Sequence, residues 1–367
     1  MKKRLFLGLL AVAAVSFTAC QKDEVISQMP KDQAIEFGTY LGRGAQTKGS
    51  VITTAELQTQ GFGVYAYYTA DADVTAGATI SGTPNFMSNV KVYHSDWDSD
   101  NATPTTWGYT PAKYWPNTDG HKISFYAYGP YDANDDAITL AATSGTKPVL
   151  TYTVDADISK HMDVLFTPAQ ENLVKRNTAI EMPFYHALSK IGFKVNTAAN
   201  YSSDNVGITI TNVTLSGKFY TSAAMNLGTA GINVAGDPAV FSSVKDNWTD
   251  KVAPGSPVDF EYFTGTHAVT YAANAANAAE LTGTNGYMMV IPQNFSSEQI
   301  KLSVSYNLTD AGSSVTANTV TKSINFNFEA GKAYTFLITI GGLQKVEFTA
   351  DVIDWQDGGT DDSFSWN

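Results

Sequence analysis

Residues 123–128 read Ile-Ser-Phe-Tyr-Ala-Tyr, and Gly129 and Pro130 follow them directly. Aromatic and β-branched side chains fit a pleated, half-buried strand, and a Gly-Pro pair ends one. Residues 62–67, Phe-Gly-Val-Tyr-Ala-Tyr, have nearly the same composition. Residues 206–215, Val-Gly-Ile-Thr-Ile-Thr-Asn-Val-Thr-Leu, extend the pattern over a longer stretch. Alternation of this kind predicts β-strands.

Further strand-like segments recur at short spacing, with turn residues between them. They are residues 149–154, 163–166, 191–195, 287–292, 300–306, 324–328 and 334–340. Residues 272–281 are the candidate helix, although their Asn-Ala-Ala repeats are also compatible with a loop. Many short strands separated by turns predict an all-β fold built from β-sandwiches. We place a domain boundary near residue 180, which divides the chain into sandwiches at 51–180 and 181–367.

The N-terminus has the pattern of an export signal. Basic residues at positions 2–4 precede an apolar stretch at residues 5–17, which is shorter than the ~20 residues that span a bilayer. Thr18, Ala19 and Cys20 follow, as in a bacterial lipobox, although Phe17 stands where Leu is usual. We therefore expect residues 1–20 to be a lipoprotein signal peptide and Cys20 to carry the acyl chains, palmitate among them, that anchor the protein in the outer membrane.

Composition excludes several classes of function. The formal net charge is −12, which argues against nucleic acid as a partner. Cys20 is the only cysteine, so neither a disulfide within the chain nor a thiolate metal site is expected. The sequence has no HExxH, GxSxG or P-loop motif, and its five histidines, His94, His121, His161, His186 and His267, are scattered. We expect no catalytic residues, no cofactor and no enzyme activity.

Two acidic stretches are candidate calcium sites. Residues 96–100 read Asp-Trp-Asp-Ser-Asp, but Asn101 stands where an EF-hand loop needs Gly, and Trp107 where it needs Glu. A looser site stays open there and near the C-terminus at Asp354, Asp357, Asp361 and Asp362. Solvated acidic loops are the favoured interpretation, so no metal is predicted.

A cluster of aromatic residues allows two interpretations. Its members are Trp97, Trp107, Tyr109, Tyr114 and Trp115. Such a cluster can form a platform for sugars, or it can pack in the core and anchor loops. Packing is favoured, and the platform supports the alternative function of a non-polymerising surface lipoprotein that binds glycans.

Residues 21–50 have the pattern of a tether, a strand and a protease-sensitive loop. Residues 34–41, Ala-Ile-Glu-Phe-Gly-Thr-Tyr-Leu, alternate apolar and polar side chains, and we call them the first strand. Residues 42–50 are rich in small residues and contain Arg43 and Lys48. A flexible basic loop of this kind is a target for trypsin-like proteases.

In order and spacing, these features resemble the fimbrillin-like proteins of Bacteroidales, also called type V pilins. The resemblance rests on the lipobox at Cys20, residues 35–37 before the arginine loop, Leu57 with residues 62–67, Trp115 with residues 123–128, residues 163–166, residues 182–191 (Met-Pro-Phe-Tyr-His-Ala-Leu-Ser-Lys-Ile), residues 331–336 and residues 352–355.

The resemblance implies two transthyretin-like β-sandwich domains in tandem. It further implies a structural or adhesive subunit of a surface fimbria that is exported as a lipoprotein, cut after Arg43 and joined to other fimbrillin-like subunits by strand exchange. The candidate donor is residues 346–353, with alternating apolar positions at Val346, Phe348, Ala350 and Val352. An uncut loop and an ordinary last strand remain open as alternatives. Host or bacterial surface glycans or proteins are the expected adhesion targets.

Overall fold

The structure is a computed structural model. It describes residues 33–39, 52, 54–74, 80, 83–95, 106–132, 138–141, 146–233, 244–281, 286–296, 300–311, 314–341, 346–354 and 362–365. Cys20, Arg43 and residues 96–100 lie outside the described residues.

The described residues form mainly β-strands, so the predicted all-β fold is confirmed. Strands up to residue 197 are β1 Phe37–Gly38, β2 Phe62–Ala70, β3 Met87–Ser95, β4 Thr106–Gly108, β5 Lys122–Gly129, β6 Ile138–Ala141, β7 Val149–Thr153, β8 Leu165–Phe166, β9 Gln170–Leu173, β10 Ile180–Glu181, β11 Tyr185–His186 and β12 Ser189–Thr197. Later strands are β13 Gly207–Gly217, β14 Ser222–Asn226, β15 Trp248–Val252, β16 Val258–Ala268, β17 Ala279–Glu280, β18 Met288–Val290, β19 Gln293–Asn294, β20 Ile300–Thr309, β21 Val315–Ile324, β22 Asn327–Phe328, β23 Lys332–Ile340, β24 Val346–Asp354 and β25 Asp362–Ser365.

Helical structure is sparse in the described residues. The α-helix α1 spans Thr54–Gln60, and 3₁₀ turns span Ile158–Lys160, Ser202–Asp204 and Ala275–Asn277. The candidate helix at 272–281 is therefore a 3₁₀ turn followed by β17. The sequence pattern did not predict α1, whose Leu57 is fully buried. No helix in the described part of the chain has the length and apolar character needed to span a membrane.

The largest sheet has the strand order β10-β1-β4-β3-β2-β5-β8-β11, with β9 also paired to β5. Its central strands are buried on both faces. In β5, Tyr126 and Tyr128 belong to one hydrophobic cluster, whereas Phe125 and Ala127 belong to another. Alternate side chains point to opposite faces of a strand, so each face of β5 contributes to a different core. This explains why residues 123–128 are aromatic and apolar at nearly every position.

The same sheet curls around the second of these clusters. Phe37 of β1 lies 5.8 Å, between ring centroids, from Phe125 of β5, although three strands separate β1 from β5 in the sheet order. Neighbouring strands are about 4.8 Å apart, so a flat sheet would hold these two rings far from each other. Curling brings β1 over the inner face of β2 and β5, where it covers the core.

Two further sheets form a sandwich around the largest hydrophobic cluster, and we call it the second sandwich. One of its sheets has the order β17-β12-β23-β24-β25, with β18 paired to β12, and the other has the order β16-β13-β20-β21. Buried side chains of β12, β23 and β24 meet those of β13, β16 and β20 in one core. Strand β24 thus pairs with β23 through backbone hydrogen bonds and also buries side chains in this core.

A further sheet, β15-β14-β7-β6, joins parts of the chain on both sides of residue 180. Strand β7 pairs with β14 from Thr153 opposite Ser222 to Val149 opposite Asn226. This sheet packs on the outer face of β2 and β5. The two-domain division near residue 180 stays a prediction, and the strands on either side of it share this sheet.

Candidate functional site

Residues 33–39, which include the described part of the first strand (34–39), lie between two other segments of the chain. Along one edge, the Ile35 N–H donates to the Lys113 carbonyl over 2.9 Å, and the Trp115 N–H donates to the Gln33 carbonyl over 2.9 Å. The direction is antiparallel, and β1 continues it by pairing with β4. The first strand therefore satisfies backbone groups that would otherwise be unpaired in the 113–115 segment.

Along its other edge, the first strand runs parallel to β10. The Ile180 N–H donates to the Glu36 carbonyl over 2.8 Å, and the Met182 N–H donates to the Gly38 carbonyl over 2.8 Å. The Thr39 hydroxyl donates to the Met182 carbonyl over 2.5 Å. We call the space that residues 33–39 fill between the 113–115 segment and β10 the first-strand groove.

The floor of the first-strand groove is apolar. Ile35 and Phe37 are 3% and 4% exposed, whereas Glu36 between them is exposed. The Phe37 ring lies 6.2 Å from Phe62 and 5.8 Å from Phe125, in edge-to-face geometry. The groove therefore takes two apolar side chains at positions i and i+2, and it leaves the residue between them in solvent.

Four of the five aromatic residues of the candidate sugar platform, Trp107, Tyr109, Tyr114 and Trp115, lie around this groove. Trp115 is buried, and Trp107 stacks at a tilt on Phe62, with the ring centroids 5.2 Å apart. The Tyr109 hydroxyl donates to the Ile35 carbonyl over 2.9 Å, and burial raises the pKa of Tyr109, so this group stays a donor. Tyr114 is 47% exposed, and Trp97 lies outside the described residues. This geometry favours packing over a sugar platform.

A buried aspartate, hydrogen-bonded to a histidine, holds the chain just after the predicted protease-sensitive loop. One carboxylate oxygen of Asp163, Oδ2, accepts the Ile52 N–H over 3.0 Å and lies 2.9 Å from Nδ1 of His186. Asp163 is fully buried, and His186 is 5% exposed. Sequence reasoning assigned Asp163 to a strand and missed this role; its signal is a lone carboxylate beside the apolar residues 164–166.

The predicted donor residues lie in the second sandwich. Val346, Phe348 and Ala350 are buried in its core at 3%, 9% and 1% exposure. Val352 lies in β24, but its side chain is not described. Strand β24 pairs with β23 over nine residue pairs and with β25 over four. The β24-β25 hairpin thus forms the outer edge of its sheet, distinct from the first-strand groove.

The acidic stretches contribute no assembled site in the described part of the chain, where no group of three or more His, Cys, Asp or Glu side chains is placed to hold a metal ion. Asp354 and Asp362 lie in β24 and β25, but their side chains are not described. Asp357 and Asp361 fall outside the described residues.

The chain is similar to fimbrial proteins in sequence and in fold. The family model described as fimbrillin-like matches residues 51–355. The fimbrium subunit Fim1C of Phocaeicola vulgatus is 27% identical over 97% of this chain and 97% of its own length. A crystal structure of a fimbrial protein from Bacteroides vulgatus has the same fold, with a TM-score of 0.67 and 22% identity over 88% of this chain and 100% of that one. The chain belongs to the fimbrillin-like family.

Proposed function

We propose that this chain is a structural or adhesive subunit of a surface fimbria, delivered to the outer membrane as a lipoprotein through Cys20 and assembled by strand exchange after cleavage at Arg43. The observation that carries the proposal is the position of the first strand. It fills an apolar groove between two segments far away in the sequence, and the predicted protease-sensitive loop follows it directly. A cut in that loop would separate the first strand covalently from the fold that it completes.

Release of the first strand would leave a template for another strand. Both edges of the first-strand groove present backbone groups, namely the N–H groups of Ile180, Met182 and Trp115 and the carbonyl of Lys113. Unpaired groups of this kind bind an added strand through main-chain hydrogen bonds, while the apolar floor selects its side chains. The partner in this proposal is the C-terminal donor strand of another fimbrillin-like subunit.

The position of the candidate donor, in the two-strand hairpin that ends its sheet, supports its role. The β24-β25 hairpin can leave as one unit, since β24 and β25 are the last two strands in their sheet order. Departure opens the nine-pair ladder between β23 and β24. The free energy lost there has to be regained in the groove of the next subunit.

Limited trypsin digestion tests the assembly step. We expect trypsin to cut the folded chain at Arg43 and to produce a ladder of higher-mass species on a native gel. The double variant Arg43→Ala with Lys48→Ala removes both basic residues of the loop, so it should resist the cut and stay a monomer. Hydrogen exchange supplies a second readout, because the amides of Ile180 and Met182 lose protection when the first strand leaves and regain it when a donor enters. Cutting without a ladder would instead indicate an anchor, a tip or a non-polymerising surface lipoprotein that binds glycans.

Membrane fractionation tests the delivery step separately. Cys20→Ala removes the thiol that would carry the acyl chains, so we expect the protein to leave the membrane fraction. Each buried methylene contributes about 0.8 kcal/mol to membrane binding, so loss of the chains should abolish partitioning into detergent. A second variant, Cys20→Ser, should behave in the same way. Unchanged partitioning of both variants would contradict lipidation at this residue.

A further inference from the structure

Two distant segments of the chain carry the same five-residue pattern. Residues 33–37 read Gln-Ala-Ile-Glu-Phe, and residues 344–348 read Gln-Lys-Val-Glu-Phe. Gln, Glu and Phe are identical, and the central residue is β-branched in both. The dipeptide Glu-Phe occurs nowhere else in the 367-residue sequence. The first segment belongs to the first strand, and the second leads into β24.

The last three residues of the two segments are also exposed and buried at the same positions. Ile35 and Phe37 are buried in the first-strand groove, and Val346 and Phe348 are buried in the second sandwich. The glutamate between each pair is exposed. Residues 37–38 and 346–350 lie in β-strands, and the apolar side chains at i and i+2 in each segment are buried on one face. Segment 346–350 therefore needs no new backbone conformation to present what the groove accepts.

Building on the strand exchange proposed above, we infer that residues 346–350 from a second copy of this chain bind in the first-strand groove in one register. Val346 takes the place of Ile35, and Phe348 takes the place of Phe37. The Val346 N–H then donates to the Lys113 carbonyl. In the same way, the Glu347 carbonyl replaces that of Glu36 and accepts the Ile180 N–H.

Other registers are disfavoured by side-chain chemistry. A shift by one residue turns Glu347 into the apolar floor, where an unpaired carboxylate is costly to bury. A shift by two residues places Phe348 at the Ile35 position and Ala350 at the Phe37 position. The ring of Phe37 packs against Phe62 and Phe125, so an alanine there leaves a void.

The residue that directly follows the pattern differs between the two segments, and the difference requires an adjustment in the groove. Thr349 falls at the position of Gly38, where an added Cβ would lie 2.7 Å from Oε1 of Glu181. Glu181 is exposed, so its carboxylate can rotate into solvent and make room. The register therefore places Thr349 directly beside Glu181, a contact that a chemical cross-link can detect.

Cysteine cross-linking tests the register. Cys20→Ser removes the only native thiol, and Glu181→Cys with Thr349→Cys then places a thiol on each side of the expected contact. Paired strand positions have Cα separations within the range that a disulfide spans. In the uncut chain Thr349 pairs with Leu337 instead, so the expected bond joins two copies. Gly38→Cys with Glu181→Cys is the positive control, because these positions are already paired within one chain.

The matched control shifts the donor thiol by two residues. Glu181→Cys with Asp351→Cys reports the register in which Ala350 occupies the Phe37 position. We expect the Thr349 pair to form covalent ladders after trypsin and mild oxidation, at least tenfold faster than the Asp351 pair. Equal or faster linking through Asp351, or a ladder under reducing conditions with no linking through Thr349, overturns the register but leaves strand exchange standing. No ladder under reducing conditions refutes strand exchange and this inference together.

A synthetic peptide provides a readout that does not depend on folding of a variant. The probe is a fluorescent peptide with the sequence of residues 344–352. We expect it to bind trypsin-cut chain but not uncut chain, and to be displaced by a peptide of residues 33–41. Replacement of Phe348 by Ala in the probe should weaken binding at least tenfold, whereas replacement of the exposed Glu347 by Gln should change it less than threefold. Equal binding by all three probes would overturn the register.

Discussion

Truncation of Phe37 should loosen the first strand selectively. The ring is 4% exposed and lies near Phe62, Tyr109 and Phe125, with centroid distances of 6.2, 5.5 and 5.8 Å. Removal of a buried phenylalanine costs about 3–5 kcal/mol, from lost transfer free energy and from the cavity left behind. A tenfold change in an equilibrium is about 1.4 kcal/mol, so release of the strand should become about a hundredfold more favourable, or more.

Hydrogen exchange measures this directly in the uncut chain. The amides of Ile180 and Met182 are protected by the Glu36 and Gly38 carbonyls, and they exchange when the first strand lifts away. We expect Phe37→Ala to accelerate exchange at both amides by about a hundredfold if local release governs it. In trypsin-cut chain the same variant should exchange its strand faster and form ladders sooner.

Glu36→Ala is the matched control, since Glu36 lies in the same strand with its side chain exposed. Surface substitutions usually change stability by about 0.5 kcal/mol or less, so exchange at Ile180 and Met182 should shift by less than about threefold. If Phe37→Ala and Glu36→Ala accelerate exchange equally, the apolar floor does not hold the strand. If neither changes it, these amides open without release of the first strand.

Two buried polar sites give further predictions. Asp163→Asn weakens the buried hydrogen bonds to His186 and to the Ile52 N–H and should lower the free energy of unfolding by about 1–3 kcal/mol, as measured by urea denaturation. Asp73→Asn removes an exposed partner of a surface ion pair and should cost less than about 1 kcal/mol; a similar loss in both variants would contradict the role of burial. Burial lowers the pKa of His161 below its ordinary 6.5, and its Nδ1 accepts the Met289 N–H over 3.1 Å, so the folded state holds this ring neutral. Its contribution to stability is complete above about pH 6.5 and is lost as the pH falls towards the lowered value, because the unfolded chain binds the proton more readily. Urea denaturation at about pH 7.5 and pH 5 should show this loss in the native chain and a smaller one in His161→Gln; an equal pH dependence in both would contradict it.

Much of the secondary structure follows from local pattern. Residues 62–67 and 123–128 lie within β2 and β5, and residues 206–215 lie within β13 apart from one residue. In each case β-branched and aromatic residues alternate or run together, and in β5 Gly129 and Pro130 end the run. The helix α1 was missed because seven residues, TAELQTQ, are too few to show a helical period. Residues 324–328 were predicted as one strand, but the chain divides there into the end of β21 and the start of β22.

The candidate site was predictable in part. The alternation in residues 34–41 indicates which side chains point inward, and it correctly places Ile35 and Phe37 on one face and Glu36 on the other. The pairing partners did not follow from the sequence. The Thr39 hydroxyl contacts the carbonyl of Met182, 143 residues away, and no local pattern encodes so distant a contact. The buried pair of Asp163 and His186 was missed for the same reason.

The sequence by itself determined the all-β class, the export pattern that ends at Cys20, the basic loop at Arg43 and the resemblance to fimbrillin-like proteins. These depend on residue type and short spacing, which a chain carries before it folds. Only the tertiary structure decided that the first strand lies between the 113–115 segment and β10, and that β24 lies between β23 and the edge strand β25. The physical reason is that every strand presents the same backbone N–H and carbonyl groups, so side-chain packing across the whole chain selects which strands pair.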